Sequence, residues 1–414
     1  IEIVLERISE IIWGNYLIVT LIGVGIFFTV ITRGIQIKGF PLAMKELINS
    51  LKGKNEIKGE GTLSAVQALC TALSSCVGNG NIVGVATAVA SGGPGAVLWM
   101  WAAGIVGMAT KYAEIVLGII YREKADDGTY VGGPMYYLSK GLGWKKIAVL
   151  FSVFMFLQVS GGALIQSNAV AIVVKDMFGI KPIFSGFMMA GVITMVVIGG
   201  VRRLGKVAER IIPVMTIMYF IGGLVIIISN FNHISYAIIS IITSAFNTQA
   251  VGGGVLGYTI KEAMRFGVAR GLYSNEAGEG SAPVLHSAAI TDHPARQGLY
   301  GIIEVFIDTV VICSLTAFIV LTSGVIEMEI SPAVYVITAF GTIHYTFRYL
   351  IGISMVLFAF STILSQWYFG NVTLTYIFNT RVASYFKYIF VCLAVIGSLS
   401  SLKIVWLIQD IVLG

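Results

Sequence analysis

Long apolar runs recur along almost the whole chain, and each is long enough to cross a lipid bilayer. A helix of about 20 mostly apolar residues spans the hydrocarbon core. The sequence predicts about eleven such helices, at 11–31, 62–90, 93–121, 147–174, 183–201, 207–229, 237–266, 297–324, 347–378, 383–401 and from 403 onward. Only 12% of the 414 residues are charged, against about 25% in soluble domains. We therefore predict an all-α integral membrane protein in contact with membrane lipid.

Lysine and arginine residues concentrate in every second connection between the apolar runs. The connection 33–61 is rich in them, whereas 324–346 has none. Because basic connections stay in the cytoplasm, this pattern places 33–61 in the cytoplasm and the N-terminus outside. It assigns one further cytoplasmic connection to Lys261, Arg265, Arg270 and Arg296. These loops account for the net charge of +6, so no nucleic-acid interface is predicted.

Sequence patterns of enzymes and of metal-binding domains are missing. The cysteines lie in apolar runs without CxxC spacing, and neither HExxH nor GxSxG occurs. A disulfide framework, a zinc site and a nucleophilic serine are therefore not indicated. The sequence predicts a protein that is not an enzyme and needs no organic cofactor.

Two glycines interrupt the second apolar run near its middle. Gly78 and Gly80 alternate with Asn79 and Asn81, and such a stretch forms a poor helix. An opened helix exposes carbonyls that can bind a cation and amides that can bind a carboxylate. The alternative is a close helix crossing with asparagine hydrogen bonds. We favour a helix break at a binding site, because unsatisfied backbone in lipid is costly.

Three successive glycines, 252–254, weaken the seventh apolar run in the same way. Residues 251–254 repeat the pattern of 77–80 five runs later, and the two runs have opposite predicted directions. Glycine-interrupted segments at matching places in inverted halves indicate a transporter binding site. A flexible or re-entrant stretch is the alternative interpretation.

Polar side chains also occur inside other apolar runs. Ser361 and Thr362 either bond to the carbonyl one turn back or supply hard oxygen ligands for a small cation. Gln158 and Gln166 lie roughly on one face of the fourth run. These two amides either line a polar cavity or form interhelical hydrogen bonds.

Acidic residues inside membrane helices are candidates for function. Glu114 follows Lys111 by about one helical turn, so we predict a structural ion pair between them. Glu304 and Asp308 lie on one face of the eighth run. We expect them to form hydrogen bonds within the bundle or near a water-filled gate.

Three stretches of the sequence resemble the alanine/glycine:cation symporter family. Residues 92–101 follow the family's GG-x-GA-hydrophobic-F-WMW signature, with Leu98 where Phe is usual. Residues 271–283 are similar to its FSNEAGxGSAP stretch, with Tyr273 for Phe and Glu279 at a position that is often apolar. The region around 361–362 also resembles the family, and the likeness spans nearly the whole chain. We assign Glu279 to a cytoplasmic loop.

The resemblance implies a LeuT-like fold, in which one extra helix precedes an inverted repeat of five plus five helices. The implied units are 1–61 with the extra helix and a cytoplasmic loop, 62–229 as the first repeat and 230–414 as the second. Core helices one, three, six and eight would be, in that order, 62–90, 147–174, 237–266 and 347–378.

The resemblance also implies two binding sites between these core helices. A sodium ion would be bound by the carbonyls of Ser74, Val77 and Phe358 and by the hydroxyls of Ser361 and Thr362. The substrate carboxylate would meet amides near Asn79 and Gly80, and its amino group would meet carbonyls near the break at residues 252–254. The expected substrate-binding residues are Ser75, Gly78, Asn79, Gly80, Gln166, Phe246, Gly252, Gly253, Gly254 and Trp367.

The implied activity is sodium-coupled symport of alanine or glycine across the plasma membrane by alternating access. The membrane potential contributes about 2.3 kcal/mol per charge per 100 mV to sodium entry. A proton-coupled transporter of the same fold is the alternative. It requires a titratable group near the cation site, for which Lys206 is the candidate.

Overall fold

The structure, a computed structural model, describes residues 14–53, 59–246 and 260–400, and single positions close to both ends. These residues are mostly helical. A two-stranded antiparallel sheet, β1 (Glu123–Lys124) and β2 (Tyr130–Val131), connects two helices. The architecture is the all-α class that the apolar runs predict.

The first ten described helices precede residue 230. Helices α1 to α10 are Asn15–Ile31, Ile35–Lys38, Phe40–Leu51, Ala65–Cys76, Val85–Gly92, Ala96–Ile120, Pro134–Gly141, Lys145–Phe178, Pro182–Val197 and Gly200–Ser229. A π-helical turn, Gly80–Gly84, leads directly into α5. The short sheet lies between α6 and α7.

Eight further described helices follow residue 230. Helices α11 to α18 are Ile234–Phe246, Ile260–Asn275, Ser281–His286, Pro294–Val305, Ser314–Thr322, Tyr335–Ile343, Phe347–Ile377 and Thr380–Leu399. A π-helical segment, Phe306–Cys313, joins α14 to α15, so Pro294–Thr322 is one continuous helix. Single 3₁₀ turns occupy Phe231–His233, Val325–Glu327 and Pro332–Val334.

Six helices of the described part are long and apolar enough to cross a membrane. They are Ala96–Ile120, Lys145–Phe178, Gly200–Ser229, Pro294–Thr322, Phe347–Ile377 and Thr380–Leu399. The bent pair Ala65–Cys76 and Gly80–Gly92 forms a seventh span if it is counted as one. Tyr16–Ile31 and Pro182–Val197 are apolar but shorter. The count of eleven spans stays a prediction.

The first broken helix consists of α4, the Gly80–Gly84 turn and α5, and it bends by 50°. Helix α4 begins at a capping box between Ser64 and Gln67. It ends because Val77 adopts an extended backbone conformation. Gly78 N donates to Asn81 Oδ1 over 2.8 Å, which satisfies an amide that the interrupted helix leaves unpaired. The break lies where the alternating glycines and asparagines predict it.

A second broken helix consists of α12 and α13, which residues 276–280 separate. Glu276, Gly278 and Gly280 have φ angles of 54°, 98° and 80°, so the chain leaves the helical path there. Glycine adopts positive φ without steric cost. This helix packs along the first broken helix, α12 against α5 and α13 against α4.

The assignment of core helix six to 237–266 is therefore corrected. Helix α11 ends at Phe246, beside the start of α6, where Trp99 Nε1 donates to the Ala245 carbonyl over 3.2 Å. Residues 247–259, including Gly252, Gly253 and Gly254, lie outside the described residues. The helix that pairs with 62–92 begins at Ile260 instead.

The two broken helices run in opposite directions, so the start of each lies beside the end of the other. These two contacts lie on opposite sides of the molecule. On one side, Thr62 N and Leu63 N donate to the Ala288 carbonyl over 2.7 and 2.9 Å, and Arg122 donates to carbonyls of both segments. On the other side, Gly92 lies close to α12, because a Cβ there would be 3.1 Å from the Glu262 carbonyl oxygen and 3.3 Å from Ala263 Cα.

The predicted cytoplasmic connection is therefore wrong, because it combined Lys261, Arg265, Arg270 and Arg296. Lys261 and Arg265 lie near the first turns of α12, on the side of Gly92. Only Arg296 follows the segment that pairs with 59–63. The reason is that the chain crosses the molecule between these residues, through the broken helix.

The long helices form two groups, with the breaks between them. The first group contains both broken helices, α6 and the Pro294–Thr322 helix, which pack closely on one another. The second group contains α8, α9, α17 and α18, which pack on one another and share an apolar core with residues of α4 and α13. Glycines permit the closest approaches between helices. At Gly267, for example, a Cβ would lie only 2.2 Å from the Ala96 carbonyl oxygen.

Candidate functional site

A small cavity of about 70 Å³ lies between the two helix breaks. Ser75, Gly78 and Gly80 line it from the first broken helix, and Glu276 and Glu279 from the second. Gln158, Gln166, Thr362 and Gln366 line it from α8 and α17, and Gln409 lines it from near the end of the chain. The cavity thus contacts both groups of helices. Movement of one group against the other would therefore change the contacts of a ligand bound here.

A larger cavity adjoins this central cavity on each side. One, of about 290 Å³, shares Gly80, Gln166 and Tyr273 with it and extends along α5. The other, of about 510 Å³, shares Glu279 and Gln366 and extends toward the first turns of α8 and α13. The central cavity thus shares lining residues with both larger cavities.

The residues of the predicted cation site come together where α4 meets α17. Ser361 Oγ and Thr362 Oγ1 both donate to the Phe358 carbonyl, over 2.9 and 3.0 Å. A Cβ at Gly78 would lie 3.1 Å from Thr362 Oγ1, so the break is in contact with this hydroxyl. Ser74 Oγ forms a short hydrogen bond with Ser365 Oγ of α17, and Val77 is the residue at which α4 ends.

Four of the predicted substrate-binding residues line the central cavity: Ser75, Gly78, Gly80 and Gln166. Asn79 is directed toward the 290 Å³ cavity, and its Nδ2 donates to Gln166 Oε1 over 3.1 Å. This hydrogen bond joins the first break to α8 on the side of α5. Gln158 lines the cavity with Gln166, as their shared helix face indicates.

Two predicted wall residues lie elsewhere. Phe246 packs against Trp99 at the end of α11 and is 59% exposed. Trp367 is buried and lines a separate cavity of about 370 Å³ beside β2. Position along the chain alone does not determine which way these side chains face. Trp367 stands at another angle on α17 than Thr362 and Gln366, which are one helical turn apart.

Sequence reasoning missed the second break as a part of the site. Glu276 and Glu279 do not lie in a cytoplasmic loop but line the central cavity. Glu276 Oε2 accepts hydrogen bonds from Ser75 Oγ over 3.0 Å and from Ser281 Oγ over 2.5 Å. Two glycines beside two acids between helical stretches are the signal that could have identified this break.

A buried ion pair connects the two breaks. Lys111 Nζ lies 3.1 Å from Glu304 Oε1, and both side chains are almost fully buried. Cys76 Sγ, at the end of α4, donates to the same carboxylate over 3.0 Å. Lys111 Nζ also donates to the Glu276 carbonyl over 3.3 Å, and His286 Nε2 lies 3.1 Å from Glu304 Oε2.

The predicted ion pair of Lys111 with Glu114 is corrected by this arrangement. Lys111 instead pairs with Glu304, which comes from a different helix. Glu114 Oε2 accepts from Gly278 N over 3.2 Å, and thus binds an amide that the second break exposes. A pairing across helices is not visible in local spacing.

Asp308 is held by donors from three segments. Asn81 Nδ2 donates to its Oδ1 over 2.6 Å, Ser274 Oγ to its Oδ2 over 3.0 Å and Thr309 Oγ1 to its Oδ2 over 2.9 Å. The carboxylate therefore joins both broken helices to the Pro294–Thr322 helix. Glu304 and Asp308 form hydrogen bonds within the bundle, which is the first of the two expected roles.

A model of the sodium:alanine symporter family matches residues 1–414. The chain belongs to this family. It is a multi-pass protein of the plasma membrane, and its family and fold are those of transporters. The family-like residues 271–283 contain the second helix break, and residues 92–101 join the first broken helix to α6.

Two relatives within the sodium:alanine symporter family match along nearly the whole chain. An uncharacterized transporter of Bacillus subtilis, YflA, is 41% identical over 99% of this chain and 87% of its own length. The sodium/alanine symporter AgcS of Methanococcus maripaludis is 39% identical over 99% of this chain and 91% of its own length.

The fold is LeuT-like. The solved structure of MhsT in complex with L-phenylalanine is 14% identical and has a TM-score of 0.59, covering 82% of this chain and 81% of MhsT. At this identity the likeness concerns the fold alone.

Proposed function

We propose that this chain transports a small neutral amino acid, alanine or glycine, together with sodium by alternating access. The central cavity between the two helix breaks is the observation that carries the proposal. A larger cavity lies on each side of it, and residues of both helix groups form its wall. The name of the relative AgcS supports the substrate and the ion.

The volume of the central cavity favours a small substrate. One water molecule needs roughly 10–15 Å³ of cavity volume. The central cavity, with about 70 Å³, therefore holds on the order of five water-sized groups. Alanine and glycine are of this size. Because one further methylene in a pocket changes binding by only about 1–3 kcal/mol, larger amino acids must be excluded mainly by the walls.

The first break offers a place for the substrate carboxylate. The helical stretch Gly80–Gly92 begins there, and the N-terminal end of a helix carries a partial positive charge and unpaired amides. Gly78 and Gly80 line the cavity without side chains that would cover these amides. A carboxylate near Asn79 and Gly80 would accept hydrogen bonds from the backbone.

The contact of α4 with α17 offers oxygen ligands for sodium. Ser361 and Thr362 donate their hydroxyl protons to the Phe358 carbonyl. A hydroxyl that donates its proton keeps lone pairs for a further partner. Sodium bound by Ser74, Val77, Phe358, Ser361 and Thr362 would hold the two helix groups together and order the first break. Substrate would then bind better, and substrate would strengthen sodium binding by the same factor.

The test is alanine uptake into proteoliposomes under an imposed sodium gradient at fixed pH. We expect sodium-dependent uptake by the unaltered protein and a sodium half-saturation at least about tenfold higher in Thr362→Ala, because a hydrogen-bonding or ligand group is typically worth about 1.5 kcal/mol or more when a charge is involved. Thr375→Ala is the matched control, since Thr375 makes the same local bond to Asn371 O over 2.8 Å in the same helix.

Two results would reject parts of this proposal. Unchanged sodium dependence in Thr362→Ala rejects the cation site. Uptake by the unaltered protein that ignores sodium but follows a proton gradient rejects sodium coupling and favours the proton-coupled alternative. The acids that line the cavity, Glu276 and Glu279, would then replace Lys206 as candidates.

A further inference from the structure

Glu279 differs from the other acidic side chains around the two breaks. Glu304 is paired with Lys111, Asp308 accepts from three side chains, Glu276 accepts from Ser75 and Ser281, and Glu114 accepts from a backbone amide. Within residues 14–53, 59–246 and 260–400, no side chain or amide donates to the Glu279 carboxylate. Its hydrogen-bonding capacity is available to a ligand.

The position of Glu279 makes it accessible to a ligand. It lines both the central cavity and the adjoining cavity of about 510 Å³. Gln366 of α17 lines the same two cavities and is only 6% exposed. Its Oε1 is buried without a hydrogen-bond partner among the described atoms. Gln409 Oε1, on the wall of the central cavity, is likewise buried without a partner among the described atoms. The wall that contains Glu279 thus also contains amide oxygens without partners, and Gln366 brings one of them from the second helix group.

A positive group would stabilise the Glu279 carboxylate. A carboxylate in the interior of a membrane protein is costly unless it is paired. Lys111 is the nearby cation, but its charge is already offset by Glu304 at 3.1 Å. A ligand that complements an unpaired carboxylate beside the unpartnered amide oxygens of Gln366 and Gln409 is a cationic hydrogen-bond donor.

We infer that Glu279 and Gln366 Oε1 together hold the ammonium group of the transported amino acid. The inference rests on the proposed function and deepens it, because the substrate then lies with its carboxylate at the first break and its ammonium group at the second. The substrate class is an amino acid with a free ammonium group. Propionate lacks this group, and glycine betaine carries a positive charge without a hydrogen to donate, so neither should bind.

The consequence for transport is that the bound substrate connects the two helix groups. Glu279 belongs to the second broken helix, whereas Gln366 belongs to α17. An ammonium group that bonds to both stabilises the arrangement in which they face each other. Glu279 is therefore a specificity-determining residue rather than a scaffold residue.

The test measures alanine binding to purified, full-length protein at saturating sodium, by isothermal titration calorimetry. We expect Glu279→Gln to weaken alanine binding about tenfold or more, because the amide removes the charge while it keeps the shape. Glu279→Asp should recover part of the affinity. Glu123→Gln is the control, since Glu123 is an exposed acid that pairs with Lys140 on the surface.

Three outcomes would overturn the inference. One is equal alanine affinity in Glu279→Gln and the unaltered protein. The second is an unchanged alanine affinity at saturating sodium with a shifted sodium half-saturation, which would make the group at Glu279 an inorganic cation. The third is binding of glycine betaine as tightly as alanine. Failure of the proposed function is distinct, because the unaltered protein would then not bind alanine in a sodium-dependent way.

Discussion

The two helix breaks meet at one cavity but differ in how their polar groups are satisfied. The first break is neutral and closed by side-chain amides: Asn81 accepts from Gly78 N, and Asn79 donates to Gln166. The second break is acidic. Glu276 is held by two serines, whereas Glu279 faces the cavity without a described donor. Asn81 thus fixes the first break from within the protein, whereas Asn79 Oδ1 at the first break and the Glu279 carboxylate at the second have no partner among the described residues.

This difference separates groups that maintain the site from groups that bind. A buried polar group with all its partners stabilises one arrangement, and removing one partner leaves the others unsatisfied. A group without partners contributes nothing to the ligand-free fold and can be costly to it. Substitutions at the two kinds of position should therefore have opposite effects on stability.

The largest effect is expected when the ion pair between the breaks is disrupted. Glu304→Leu leaves Lys111 charged and buried without its partner, which typically costs about 3–5 kcal/mol of stability. Thermal unfolding in detergent should show this loss. The double variant with Lys111→Met should recover most of it, because the charge and its partner are removed together. A single variant as stable as the unaltered protein would contradict the structural role of this pair.

An intermediate effect is expected at the first break. Asn81→Ala removes the acceptor of Gly78 N and a donor to Asp308, so we expect a loss of about 1–3 kcal/mol in the free energy of unfolding. Chemical denaturation in detergent measures it. Asn230→Ala, which removes a local bond to Ile226 O at the end of α10, should change stability by less than about 0.5 kcal/mol. Equal effects in both variants would show that the first break is not fixed by Asn81.

The smallest effect on stability is expected at Glu279. In the absence of substrate, Glu279→Gln should be as stable as the unaltered protein or more stable by up to about 1 kcal/mol, because an unpaired charge is removed. Thermal unfolding without alanine measures this directly. Added alanine should then raise the unfolding temperature of the variant less than that of the unaltered protein. A destabilised variant would mean that Glu279, like Asn81 at the first break, stabilises the ligand-free fold.

Much of the fold was predictable because its signals are local. The length of the apolar runs predicts membrane helices, and α6, α8, α10, α17 and α18 lie within or close to predicted runs. The first break was predictable for the same reason, since two glycines and two asparagines within four residues weaken a helix wherever it packs. Ser75, Gly78, Gly80 and Gln166 line the central cavity, and their role in substrate binding stays a prediction.

The second break and the charge pairs were decided by tertiary structure alone. Residues 276–280 are polar enough to form a loop in water, and only their packing between α4 and α6 shows that they lie inside the molecule. In the same way, Lys111 has Glu114 one turn away in its own helix but pairs with Glu304 from another helix. Local sequence determines which segments can be helical or open. Which open segments and charges meet depends on how distant helices pack, and that is a property of the assembled chain.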